Sequence, residues 1–373
     1  MAAALSTLAY PVRHPRWELV YAGRNITGRI TAMAIEITYS DHHAHHHRRR
    51  KQAAMTAAET DELEVVLEDR DRRWQGPWLP QRGDAVSLMI GYEGDERMLN
   101  CGNFQVDELE LHGPPDTFHL KCIAAGITPA LRTPRSAAYE NQTLLGVAQT
   151  IAARHQLTVT GAPQDVNVTW QRLTQRRETD LQFLRRLALA HNYDFTIRGS
   201  QLVFYARPAL EQAAPVLTIT RGSAQGGEYQ PRYAMPMPLV AGQGVFAKSF
   251  EFQTKTQALY RSANVAYLNP ALKQLIAASA QDSSSPTGDD LHLVARCETP
   301  QQAQLKAQGA LHDANMLETT ARIETEGNVL LVAGVNVALV GFGSYDGTYH
   351  VESSRHRLDR LSGYTTEVEL RKL

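Results

Sequence analysis

Leu63, Val65 and Leu67 alternate with Glu62, Glu64 and Glu68, so an extended segment here has one apolar and one acidic face. Only a β-strand separates these two sets, because its side chains project alternately to opposite faces; a helix would scatter both around its circumference. The same period of two recurs at Leu19 and Tyr21, at Ile35, Ile37 and Tyr39, at Val86, Leu88 and Ile90, and at Phe104 and Val106. Leu109 and Leu111 face Phe118, Leu120 and Cys122 across a His112-Gly113-Pro114-Pro115-Asp116 turn. Further turn chemistry lies at Gly23-Arg24-Asn25, Thr27-Gly28 and Gly91. Many short strands with closely spaced turn signals predict a small barrel or sandwich over about 16–125.

The pattern changes near Gly126. Thr143 caps an expected helix carrying Leu144, Leu145, Val147, Ala148, Ile151 and Ala152, ending near His155. Thr179 caps a second, with Asp180 in its first turn and Leu181, Phe183, Leu184, Leu187 and Ala188 following. Tyr193–Ile197, a Gly199-Ser200 turn and Leu202–Tyr205 read as a hairpin. Residues 126–210 therefore form an α+β unit. From Pro215 strands return, with Leu217, Ile219, Phe250 and Phe252; Gln281–Gly288 reads as a solvated loop within 268–296. Thr299-Pro300-Gln301-Gln302 starts a helix running to about Met316, with Gln302 expected to close a capping box. Over 318–373 the chain is β again, at Ala321/Ile323, Leu330–Val332, Val335/Val337/Leu339, Tyr349/Val351 and Thr366/Val368/Leu370. The fold class is mainly β with α+β insertions.

With 43% hydrophobic residues the chain can build a substantial core, which argues against wholesale disorder. A formal net charge of −1 gives no global attraction to nucleic acid or an anionic membrane. No segment approaches the roughly 20 apolar residues of a spanning helix, and the N-terminal stretch lacks the basic start and long apolar core of a secretory leader. Cys101, Cys122 and Cys297 are too few and too scattered for a disulfide framework or a cysteine zinc site, so synthesis in a reducing cytosol is expected.

Five of the fourteen histidines fall in Asp41-His42-His43-Ala44-His45-His46-His47, followed by Arg48-Arg49-Arg50-Lys51. A contiguous run of this kind lacks the rigid support of a true metal centre, and four adjacent cations repel a dication. A solvated loop outweighs a basic or proton-sensing surface, and both outweigh a metal site. Arg48–Lys51 as a nucleic-acid contact is weaker still, with no basic helix and interleaved aromatics behind it. In Glu68-Asp69-Arg70-Asp71, paired carboxylates could do acid–base work, but the adjoining arginines neutralise them locally. Trp74 and Trp78, in a turn with Gly76, Pro77 and Pro80, read as a packing corner ahead of an interface anchor. Gly341-Phe342-Gly343 lacks the third glycine of a nucleotide loop. No catalytic, cofactor-binding or metal residue is singled out, and a non-enzymatic role is expected.

Four segments, taken in order, resemble the phage late control protein D family. They are Leu63–Asp71 with Pro80–Asp84; Gly102–Leu109 with Gly113–Asp116; Glu178–Ala188; and Tyr345–Val351 with His356 and Gly363–Leu370. No single segment is specific; their order and spacing across nearly the whole chain are. The resemblance implies the central hub of a contractile-tail baseplate, with two tube-type β-barrel domains per chain. A homotrimer then forms a pseudo-sixfold ring that adapts a hexameric tail tube to a trimeric spike. On that reading 1–125 is the first barrel, carrying the histidine-rich loop 41–51, and 126–212 is the α+β domain. Residues 213–268 plus 318–373 form the second barrel, and 269–317 is an insertion with loop and helix. The implied partners are the tail tube protein, the spike protein, baseplate wedge proteins and the tape-measure protein. DNA is met only in transit through the lumen, without cofactor or membrane insertion. The implied address is the virion tail baseplate, after assembly in the host cytoplasm. The same core is similar to the hub portion of type VI secretion spike proteins, which continue into a spike β-helix; an end at Leu373 implies a separate spike protein. A type VI-like or other contractile device and a tail-associated cell-wall hydrolase stand as alternatives.

Overall fold

The computed structural model describes residues 13–42, 61–125, 131, 133–160, 169–198, 201–221, 244–255, 259–270, 273–283, 288–316 and 318–373. Residues 43–51 of the histidine-rich run, and the Gly199-Ser200 turn, lie outside them.

The N-terminal strands are β1 (Pro15–Tyr21), β2 (Arg24–Asn25), β3 (Ala34–His42), β4 (Glu62–Glu68), β5 (Ala85–Tyr92), β6 (Leu99–His112) and β7 (Thr117–Ala124), with a one-turn helix α1 (Thr27–Ile30) after β2. They are antiparallel, in the order β3-β4-β7-β6-β5-β1-β2. The expected alternation holds: Leu63, Val65 and Leu67 are buried against Leu19, Ile37, Leu88, Ile90 and Phe104, while the β4 glutamates face outward.

The next unit comprises β8 (Arg135–Thr143), α2 (Leu144–Arg154), β9 (Thr158–Thr160), β10 (Thr169–Glu178), α3 (Asp180–Leu189), β11 (Tyr193–Arg198), β12 (Gln201–Ala206) and α4 (Arg207–Glu211). Both expected helices are present. Thr143 accepts the Gly146 N–H at 3.1 Å. At α3 the capping box is complete: Thr179 Oγ1 accepts from Gln182 N at 3.1 Å and Gln182 Oε1 accepts from Thr179 N at 3.0 Å. Thr179→Ala removes one arm of that box and is expected to cost about 1 kcal/mol of unfolding free energy; a denaturant midpoint that does not move would show the cap to be redundant.

The second β unit is built from β13 (Leu217–Arg221) and β14 (Gly244–Thr254), then from strands nearer the C-terminus. Between them lie β15 (Tyr260–Asn269), β16 (Gln274–Gln281), β17 (Asp289–Val294) and α5 (Pro300–Asn315). The series ends with β18 (Thr319–Glu326), β19 (Asn336–Val340), β20 (Gly347–Asp359) and β21 (Gly363–Lys372). The order β19-β13-β14-β18-β21-β20, with β19 also paired to β20, closes a six-stranded barrel. Its core holds Leu217, Ile219, Ile323, Val337, Tyr349, Val351 and Val368. β15 pairs with β16 and β17 in a sheet of its own, covered by α5 through Ala263, Val265, Ile276, Ala303 and Ala307. Two of these three strands lie in the stretch read from sequence as loop and helix.

α5 starts where expected, with Thr299 accepting the Gln302 N–H at 3.2 Å, but the box does not close on the cap. Gln302 Oε1 takes the Glu298 N–H instead, at 2.7 Å, while its amide donates to the Thr169 carbonyl at 3.2 Å and ties α5 to β10. Leu330–Val332 is also not a strand. Leu331 O accepts from buried His356, and the neighbouring Ala333 N–H goes to Asp41, so buried side chains satisfy this backbone where a ladder would.

One hairpin joins the two β units. Gly347–His350 of β20 pairs with β19 of the barrel, whereas Ser353–Asp359 pairs with β3 of the N-terminal sheet. A register shift between Val351 and Ser353 flips which residues point inward. Tyr349 and Val351 are buried before it; Ser354, His356 and Leu358 are buried after it, and Leu358 with Tyr364 completes the first core. Arg360 pins the far end, donating to the Ala34 and Ala32 carbonyls at 3.1 and 2.9 Å and to Glu68 at 2.6 Å.

Candidate assembly surfaces

The residues that sequence reading weighed for chemistry have structural occupations. Asp69 is buried, accepting the Trp74 N–H at 3.1 Å on Oδ1 and the Gln75 amide at 3.0 Å on Oδ2, so it caps its turn. Trp74 is buried and stacks on Phe118 at 5.5 Å, with Trp78 edge-on against it at 5.5 Å. That turn is the packing corner of the first core, which leaves little of it for anchoring a neighbour. All three cysteines are buried and their thiols are pushed up by burial, Cys122 to about 12, which makes them poor nucleophiles. Among the described residues, no helix is long and apolar enough to cross a membrane.

Exposed apolar side chains and unpaired strand edges lie elsewhere. On β14, Phe246 is 55% exposed and Phe250 42% exposed. Phe250 rests edge-on against Phe342 at 5.2 Å, under the Arg221 guanidinium at 5.1 Å. Phe252, two residues on, stacks on Tyr345 at 4.6 Å and anchors the strand to the barrel. Leu268 and Leu275 face each other across the β15–β16 ladder and are 62% and 63% exposed, an unusual pair to leave in water. Among the described residues β2 ends the N-terminal sheet with no further strand beside it, an edge able to template another chain. Phe250 was legible as a strand residue, but its exposure was not, because barrel closure decides it.

A polar junction at α4 holds these surfaces in place. Asn336 Nδ2 donates to the Leu210, Glu211 and Ala213 carbonyls at 2.8, 3.1 and 2.8 Å, satisfying the C-terminal end of α4. Arg207 and His312 extend the junction to α5, through Asp313 at 2.6 Å and Glu211 at 3.2 Å. Arg371 on β21 reaches Glu211 at 2.7 Å and also pairs with Glu352.

No family model matches the chain. Over 225 residues, 59% of its length, it is 28% identical to the probable baseplate hub protein of Escherichia phage P2, covering 54% of that protein. Over 219 residues, 58% of its length, it is 26% identical to the probable baseplate hub protein of Escherichia phage 186, covering 52%. The chain thus spans about half the length of the curated relatives it matches. Among solved structures it is similar to a tail protein from Neisseria meningitidis MC58, with TM-score 0.66, 13% identity, and 96% and 97% of the two chains covered. It is equally similar to the 43 kDa tail protein of prophage MuSo2 from Shewanella oneidensis, with TM-score 0.66, 13% identity, and 96% and 98% covered. An Escherichia coli component of the type VI secretion system follows, at TM-score 0.54, 10% identity, and 91% and 74% covered. At these identities the structural likenesses show the fold alone, a mainly β tail-protein fold. The sequence resemblance to the late control protein D family sits in a chain whose curated relatives are named baseplate hub proteins.

Proposed function

We propose that the chain is the baseplate hub of a contractile phage tail or tailocin, a structural component of the particle without turnover. The observation that carries this reading is the closed barrel and the seven-stranded sheet sharing one hairpin, in a chain whose curated relatives are named baseplate hubs. Two β units per chain suit a homotrimer in which six units surround a lumen, seating a hexameric tube on one side and a trimeric spike on the other. In this scheme 1–125 and 213–255 with 318–373 are the two ring-forming domains, and 126–212 and the β15–β17 sheet with α5, which takes in 260–268 of the stretch read as barrel, decorate them. The open edge at β2 and the Phe246–Phe250 face of β14 are the surfaces suited to neighbours in the ring. Tube, spike, wedge and tape-measure proteins are the proposed partners, with DNA or other cargo passing through, and the virion tail is the address.

Fold likeness to a type VI secretion component favours one alternative, a hub in another contractile device. Capsid and terminase genes beside the coding sequence separate a phage from that case and from a tailocin. The hub reading itself is tested by light scattering over a gel-filtration peak, alone and after co-expression with the neighbouring spike gene. Three chain masses, with a central hole in end-on images, are expected; a monomer under both conditions would overturn it.

A further inference from the structure

The outer face of the β6–β7 hairpin carries a set of ligands that the assembly role does not use. Cross-strand register places Glu108 opposite Lys121, Glu110 opposite His119 and His112 opposite Thr117, all on the face away from Leu109, Leu111, Phe118 and Leu120. Glu64, opposite Lys121 on β4, joins the same face. One ligating atom from each of Glu110, His112 and His119 lies within 4.8 Å of the others. His112 Nε2 is 3.0 Å from Glu110 Oε2, and the two imidazole rings are 4.5 Å apart.

We propose that Glu110, His112 and His119 form a site for a divalent transition-metal ion of the zinc, cobalt or nickel type. Two imidazoles and a carboxylate are the donor set such borderline ions take, with the fourth position left to solvent. Metal–nitrogen bonds of about 2.0–2.1 Å in a tetrahedral site set ligand atoms about 3.3 Å apart. The His112–Glu110 pair is already near that spacing, and the other ligand atoms lie within 4.8 Å. His119 Nδ1 lies 3.4 Å from Glu64 Oε1, which orients the ring; Nε2, now 3.4 Å from the Thr117 hydroxyl, would exchange that contact for the metal, giving the carboxylate–histidine–metal arrangement. Lys121 pairs with Glu110 Oε1, and Oε2, now 3.0 Å from His112 Nε2, is the oxygen a bound ion would take, standing between the two groups in place of that contact. Three carboxylates, Glu64, Glu108 and Glu110, face the single ammonium of Lys121, and the local balance favours a cation. A bound ion would clamp the two strands together where the hairpin leaves the core and its burial falls away.

The full-length chain, freed of metal, is titrated with zinc ion against a chromophoric chelator. The histidine run at 42–47 will also take metal, so two variants separate the sites. H112N/H119N is expected to lose one tight equivalent, whereas replacing His43, His45, His46 and His47 with asparagine should retain it. Glu64→Gln, which touches no metal, should weaken that equivalent by about 10–100-fold. Cobalt(II) should give the intense visible bands of a four-coordinate site in the wild type and not in H112N/H119N. Because His112 is exposed and Glu110 and His119 are partly so, the metal-free variants should keep the wild-type circular dichroism. Zinc uptake unchanged in H112N/H119N, or no tight equivalent remaining once the 43–47 histidines are replaced, would overturn the site.

Discussion

Replacing Arg371 with alanine should lower the unfolding free energy by about 3–5 kcal/mol. Arg371 is buried on β21, with Nη2 donating to Glu211 Oε1 at 2.7 Å and Nε donating to Glu352, itself buried on β20. Removing the guanidinium takes the Arg371 cation from Glu352 and weakens the support of Glu211. Breaking one partner of a buried pair costs far more than the intact pair contributes, because the remaining charge has lost both water and partner. Burial alone would raise the Glu211 carboxyl; the His312 hydrogen bond and charge, together with Arg371, outweigh it and hold the group down at about 2. A carboxylate depressed in the folded state stabilises above its unfolded pKa of about 4.3 and loses that contribution as pH falls toward 2. In Arg371→Ala this contribution shrinks, so the mutant's stability should vary less than the wild type's over that acid window. A second variant separates charge from packing: R371M with E352L removes both ends of the Glu352 pair and should recover much of the loss. Urea denaturation of the three proteins decides it. A loss below about 1 kcal/mol for Arg371→Ala would show that water reaches both carboxylates.

How much of this was legible in the sequence depended on contrast between faces. β4 and β7 were plain because buried Leu, Val and Phe alternate mainly with charged or polar residues, and β5 because buried Val86, Leu88 and Ile90 keep the same period of two; that period fixes both strand and face. β16 has Ile276 and Ala280 as its buried positions among other alanines and serine, so its two faces hardly differ in hydropathy and it read as a loop. β8 and β10 form a two-stranded ladder in which Tyr139 and Trp170 are among the few deeply buried anchors. The parallel pairings of β13 with β14 and β19 close the barrel between segments more than a hundred residues apart in the case of β19, which no local pattern encodes. The flip in β20 was present as a switch from Tyr349 and Val351 to His356 and Leu358, but only the bulge explains it. For the candidate surfaces, residue type was visible and exposure was not. The Glu110–His112–His119 face was within reach, because register about the His112–Asp116 turn already sets Glu110 against His119.

Acid should unfold this protein well before its carboxylates are protonated, and His356 is a principal reason. Its ring is fully buried at the seam of the two β units, stacked 5.9 Å from Tyr39. Nδ1 lies 2.7 Å from the Tyr364 hydroxyl and Nε2 is 3.0 Å from the Leu331 carbonyl. The carbonyl fixes the tautomer: Nε2 carries the proton and donates, while Nδ1 accepts from Tyr364. Burial lowers the His356 pKa to about 4, against the opposing pull of that carbonyl. His191, buried against Trp170 with Nδ1 2.8 Å from the Leu187 carbonyl, is lowered to about 4 for the same reason. Between about pH 6.5 and pH 4 the unfolded chain binds a proton at each position and the folded chain does not. Stability therefore rises with pH across this window, is complete above about 6.5, and falls by roughly 1.4 kcal/mol per pH unit for each histidine below it. For His356 alone the full effect is on the order of 3 kcal/mol by pH 4. His356→Gln keeps a neutral donor and acceptor near the same partners, so it should lower stability at pH 7.5 while flattening the slope by about one proton's worth. Unfolding free energies of both proteins at half-unit steps from pH 7.5 to 4.5 make the comparison. Equal slopes would mean that His356 takes up its proton alike in the folded and unfolded chains, with the Leu331 carbonyl offsetting the cost of burial.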